Sequence, residues 1–127
     1  MYVLNVEDNA FKHGDIEAFL NSLGITEIDW EMNLVDGVER ICDQFDFNKP
    51  YDLIITDMWY PEYRGGKDAS SGEKLIQKAV EKKWNIPIIM CSSVNYSYPG
   101  VLGNVHYSEK EDQWKTKLKE LIEKLEK

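Results

Sequence analysis

Short apolar runs alternate with amphipathic stripes along most of the chain, and this alternation limits the fold more than any other feature. Residues 2–6 (YVLNV), 53–56 (LIIT) and 86–91 (IPIIMC) are mostly apolar, as suits strands buried on both faces. Between the first two, Ile28, Trp30 and Met32 alternate with Glu27, Asp29, Glu31 and Asn33, the period-2 pattern of an edge strand with one wet face. A weaker run at 104–107 follows Gly103. Four helical stripes accompany the strands: Ile16, Phe19, Leu20 and Leu23 closed by Gly24; Val38, Ile41, Cys42 and Phe45; Leu75, Ile76, Ala79 and Val80; and Trp114, Leu118, Leu121, Ile122 and Leu125. The S-x-x-E spacings of Ser70 with Glu73 and Ser108 with Glu111 predict capping boxes at the start of the last two helices. The order βαβαβαβ, a loop, then βα calls for a doubly wound α/β fold, a five-stranded parallel sheet with helices on both faces and right-handed crossovers.

With 127 residues, 43% of them hydrophobic, the chain suits one domain with one core, residues 1–127. A formal net charge of -8 disfavours unaided binding to nucleic acid or to an anionic membrane surface, since both need a concentrated positive field. No apolar run approaches the roughly 20 residues that span a bilayer, and the start MYVLNVEDN lacks the features of a leader. Cys42 and Cys91 sit in apolar surroundings without metal-ligand spacing, which predicts reduced thiols and a cytoplasmic protein. His13 and His106 have no partner at metal-ligand spacing, so surface or edge positions are expected. Trp30, Trp84 and Trp114 read as packing residues.

Two loops break the rhythm. Residues 59–71 (WYPEYRGGKDASS) exceed the usual βα connection, and residues 92–103 (SSVNYSYPGVLG) leave room for little more than a turn where a fourth crossover helix is expected. In an open parallel sheet, ligands bind outside the carboxyl ends of the strands. Those ends carry Glu7 and Asp8, Asp57, Ser92 and Ser93, and, near the fifth strand, Ser108 and Lys110. Crowded carboxylates repel one another unless a cation neutralises them, and hard oxygen ligands of this kind suit Mg²⁺.

At these residues the chain resembles the receiver domains of two-component response regulators, including the stand-alone receivers of chemotaxis and sporulation type. VLNVEDN resembles the first strand with its acidic pair, DLIITDMWYP the phosphoacceptor strand, SGEKLIQKAVEKK the third helix, and IPIIMCSS the fourth strand with its switch hydroxyl. The resemblance covers nearly the whole chain and implies a flavodoxin-like sheet of order 2-1-3-4-5 with the fourth helix reduced or absent. It implies that Asp57 accepts a phosphoryl group from a sensor histidine kinase, a phosphotransfer protein or a small phosphodonor. Asp8 and Asp57 would bind Mg²⁺, with Glu7 directly or through water, and the main-chain carbonyl of Trp59 would supply another oxygen. Ser92 would bond the new phosphoryl oxygen as the switch hydroxyl, and Ser93 would shape access for water. The protein would be a signalling phosphoacceptor rather than an enzyme, acting on a downstream protein target by noncovalent contact.

The pattern departs from the family at the fifth strand, which in receivers usually ends in a lysine followed by proline. Here it reads VHYSEKED, so that Ser108 or Tyr107 falls at the lysine position and Lys110 is the nearest substitute, with Arg64 and Lys67 of the long loop as further stand-ins. Tyr107 is the candidate for the aromatic residue that moves with the switch. A competing reading is a pseudo-receiver that serves as a phosphorylation-independent interaction module. A third, a phosphatase-like enzyme, lacks the second acid two residues after Asp57, where Trp59 stands.

Overall fold

The computed structural model describes residues 1–126. Five parallel strands, β1 (Tyr2–Val6), β2 (Glu27–Glu31), β3 (Leu53–Thr56), β6 (Ile88–Ser92) and β7 (Gly103–His106), form one sheet in the order β2-β1-β3-β6-β7. This is the predicted topology, with the edge strand where its half-wet pattern puts it. The central strands are buried on both sides because helices cover both faces. Against one face, α1 (Ala10–Ser22) and α4 (Gln113–Leu125) contribute Ile16, Leu20, Trp114, Leu118, Leu121 and Ile122 to a cluster with Val3, Leu53, Ile55, Ile89 and Val105. Against the other, α2 (Leu34–Asp46) and α3 (Ser71–Lys82) bring Ile41, Leu75 and Ile76 onto Leu4, Val6, Ile54, Ile88 and Met90. Each such side chain contributes about 1.5–3 kcal/mol when fully buried. No helix among the described residues is long and apolar enough to cross a membrane.

The parallel register lines up the strand ends. Val6 pairs with Glu31 on one side and Thr56 on the other, and the Asp57 amide donates to the Val6 carbonyl at 3.1 Å. Glu7 and Asp57 thereby emerge side by side. The long loop after β3 is more ordered than its composition predicts: β4 (Tyr60–Pro61) and β5 (Asp68–Ala69) pair antiparallel as a small hairpin. Its anchor is Tyr60, wholly buried, whose hydroxyl lies 3.0 Å from Thr56 Oγ1 and whose carbonyl accepts from Ser71 Oγ at 2.6 Å. The segment 93–102 has no helix, as predicted. Its backbone is held instead by Asn104, which accepts from the Tyr98 amide at 3.1 Å and donates to the Tyr98 carbonyl at 3.0 Å.

Three local expectations are corrected. Ser70 precedes α3 without a side-chain cap bond; the hydroxyl that works there is that of Ser71, spent on Tyr60. The last helix starts at Gln113, so Ser108 stands outside it and accepts from the Lys110 amide at 3.3 Å in a turn. His13 is buried rather than at the surface: its ring stacks on Trp30 at 4.2 Å and its Nδ1 lies 2.7 Å from Asn5 Oδ1. The apolar body of the imidazole is covered by an aromatic ring while its polar edge finds an amide, which meets both demands of burial.

Candidate metal centre

Glu7, Asp8 and Asp57 each offer a carboxylate oxygen, and these oxygens lie within 4.8 Å of one another. The β1 end supplies the first two and the β3 end the third. Asp57 Oδ1 accepts from the Met58 amide at 2.7 Å, which fixes the carboxylate, and α3 packs hard against its backbone. A Cβ at Gly72 would come within 2.1 Å of the Asp57 carbonyl oxygen, so only glycine fits there. Glu7 is 1% exposed, and its Oε2 accepts from the Asn9 amide at 3.2 Å. Burial pushes its carboxyl up to about 7, with Lys12 opposing and Asp57 adding to the rise. Asp8 is also raised, by burial and then by the neighbouring Asp68. Burial is the first cause of both shifts, and neighbouring carboxylates add to it.

The donor set fits a hard divalent cation. It offers carboxylate oxygens only, from three acids whose oxygens lie close enough to share one ion. Asp68, at the start of β5, joins the acids through the hairpin, a placement that sequence spacing does not reveal.

The larger omission from the sequence reading is Lys12. Its side chain is 4% exposed, and its Nζ lies 2.8 Å from Glu7 Oε1, 3.5 Å from Asp57 Oδ2 and 2.6 Å from the Cys91 carbonyl, to which it donates. The carboxylates hold its pKa above the ordinary lysine value despite the desolvation that opposes them. The signal was present in the sequence: Lys12 stands four residues before Ile16, on the inward stripe of the first helix.

The remaining predicted residues are placed as follows. Ser92 is buried at the end of β6, with its Oγ accepting from the Val94 amide at 3.3 Å, while Ser93 is exposed. Trp59 is half exposed, and its indole N–H donates to the Tyr96 hydroxyl, joining the loop after β3 to the segment after β6. Lys110 is exposed, and no ion pair among the described residues joins it to the acids. Arg64 lines the cleft that holds Asp8; Lys67 is exposed. Tyr107 is buried on the α1 face, donating to Asp15 and packing on Trp114 at 5.3 Å. Strand alternation points Ser92 toward the opposite face, so the ring is not beside that hydroxyl.

Sheet order, helix layers and an acidic strand-end pocket define a flavodoxin-like α/β protein. Within that class, the fold is that of response-regulator receiver domains, as solved structures show. Response regulator TrrA of Thermotoga maritima, in complex with Mg²⁺–BeF, is 26% identical over 95% of this chain and 99% of that one, with a TM-score of 0.68. The complex of TrrA with histidine kinase ThkA matches with a TM-score of 0.68, at 24% identity over 95% and 98% of the two chains. A two-component response regulator of Clostridium difficile is 18% identical over 100% and 99%, with a TM-score of 0.71. No protein-family model matches the sequence, and no curated protein matches it.

Proposed function

We propose that this chain is a phosphoacceptor of two-component type, in which Asp57 takes a phosphoryl group from the phosphohistidine of a sensor kinase or phosphotransfer protein. The observation that carries the reading is the convergence of Glu7, Asp8 and Asp57 at the ends of adjacent parallel strands. An Asp57 oxygen attacks phosphorus, the P–N bond to histidine breaks, and the imidazole leaves with a proton, giving an acyl phosphate. Glu7, Asp8, Asp57 and the Trp59 carbonyl would hold Mg²⁺, which offsets charge on the transferring group. Ser92, at the neighbouring strand end, is the candidate hydroxyl for the new phosphoryl oxygens. Each cycle modifies the protein once, so it acts as a switch and not as a turnover enzyme. Its output is contact with a downstream protein, and its acidic surface does not favour nucleic acid or membrane. The neighbours that bind Mg²⁺–BeF and a histidine kinase support this reading, and the free thiols Cys42 and Cys91 support a cytoplasmic location.

The test is uptake of beryllofluoride or a small phosphodonor in the presence and absence of Mg²⁺, beside Asp57→Asn. The expected result is a Mg²⁺-dependent adduct in the parent and none in the variant. Absence of any adduct in the parent defeats the proposal. It would favour the pseudo-receiver reading, to which one observation lends weight: the Lys12 ammonium already neutralises part of the acid cluster.

A further inference from the structure

We infer that Lys12 is the phosphoryl-binding cation of this site, delivered from the first turn of α1 instead of from the end of the last strand. The inference rests on Asp57 being the acceptor, and it names a residue that reading leaves open.

Four observations carry it. First, an ammonium lies 3.5 Å from Asp57 Oδ2 and 2.8 Å from Glu7 Oε1, and its side chain is 4% exposed, so it is committed to this pocket. A phosphoryl group on Asp57 brings further negative charge to the same few ångströms, where a desolvated cation acts far more strongly than a surface one.

Second, the ammonium is held in place before any ligand arrives. Asn9 caps α1 by accepting from the Lys12 amide at 3.0 Å, His13 is fixed by Asn5 and Trp30, and Asn5 Nδ2 is anchored on the Ile55 carbonyl at 3.0 Å. Third, the Cys91 carbonyl draws Nζ to the β6 side of the acids. The ammonium thus sits between the β1 and β3 carboxylates and the strand that ends in Ser92, and Asp8 takes no part in its contacts. Fourth, the residue that follows β7 faces the ammonium with a ring: the Tyr107 centroid is 5.6 Å from Nζ. The last strand thus meets the pocket with a neutral aromatic residue, and Lys110 lies beyond it in solvent.

The competing roles are charge balance for Glu7 alone, and a substitute for the metal. They separate in one experiment: Mg²⁺ affinity and beryllofluoride affinity at saturating Mg²⁺, measured on the parent, Lys12→Gln and Lys110→Gln. A phosphoryl-binding Lys12 predicts that Lys12→Gln keeps Mg²⁺ affinity within ~3-fold or gains some, yet loses at least ~10-fold in beryllofluoride affinity, the loss of one buried charge-assisted pair. Equal beryllofluoride affinity in Lys12→Gln and the parent overturns the inference while leaving Asp57 as acceptor. So does loss in Lys110→Gln alone. A parent that takes up no beryllofluoride at all defeats the acceptor reading itself. Because Lys12→Gln leaves a buried Glu7 unpaired and so puts folding at risk, the parent is also followed by NMR at the lysine Nζ and Cε positions. A Lys12 signal that shifts on adding beryllofluoride to the Mg²⁺-saturated protein supports the assignment; a stationary one overturns it.

Discussion

The two halves of the strand-end surface are built on opposite principles. At β1 and β3, charge is concentrated and enclosed: Glu7 and Lys12 are buried, Asp57 is nearly so, and each has partners within a few ångströms. After β6, segment 93–102 carries no charged side chain and is rich in aromatics, held by the Asn104–Tyr98 pair and by Tyr96, Tyr98 and Val101 packed on the core. The difference shows that the acidic half carries its own counter-charge. With an ammonium arriving from α1, the last strand is freed from supplying one, and Tyr107 is used instead for packing against Trp114 and for a bond to Asp15.

The strongest way to break the acidic half without touching a charge is Gly72→Ala. Its Cβ would meet the Asp57 carbonyl oxygen at 2.1 Å and Met58 Cα at 2.8 Å, and backbone cannot swing aside as a side chain does. The expected cost is about 2–3 kcal/mol in chemical denaturation, by overpacking, together with a displaced Asp57 and a weakened beryllofluoride adduct. Parent-like stability would mean that the junction of β3 with α3 is looser than its contacts describe.

A pH series tests whether the acids are short of positive charge. Glu7 has a folded-state pKa of about 7, above its ordinary value of 4.5, so between those values the folded protein holds a proton that the unfolded chain has released. Without divalent metal, its contribution is present in full below about 4.5 and is lost as pH rises through about 7. Asp8, raised in the same direction, adds a slope of the same sign. Denaturation midpoints of the parent should therefore fall relative to Glu7→Gln as pH rises across that window, and Mg²⁺ should reverse the trend by favouring the ionised carboxylate. Parallel curves would show that Lys12 already satisfies Glu7.

The acidic half was legible because its residues sit at the ends of apolar runs, and strand ends converge by topology rather than by long-range detail. Asp57, Glu7 and Asp8 needed only the strand positions and the parallel order. Lys12 stands in the sequence as a charge on an apolar stripe, but a stripe tells which way a side chain points and not what waits across the sheet. Asp68 reached the site through a hairpin of two-residue strands, too short to leave a period. The cap expected at Ser108 does not form, because spacing alone fits a box while the helix begins five residues later, at Gln113, where the Trp114 stripe meets the core.

The smallest expected effect sharpens the boundary between the halves. The Trp59 indole donates to the Tyr96 hydroxyl, tying the loop beside Asp57 to the neutral segment after β6. Trp59 is 45% exposed, so water replaces much of what is lost in Tyr96→Phe, and stability should change by less than about 1 kcal/mol. The informative number is the beryllofluoride affinity. If the neutral half is a passive support, the variant binds within ~2-fold of the parent; if adduct formation is linked to this contact, the affinity moves further, because whatever favours one state of the contact must be favoured by it in return. The separate anchoring of the two halves predicts the first outcome, and a shift of ~5-fold or more would show that the aromatic segment, despite having no charge to offer, takes part in the readout.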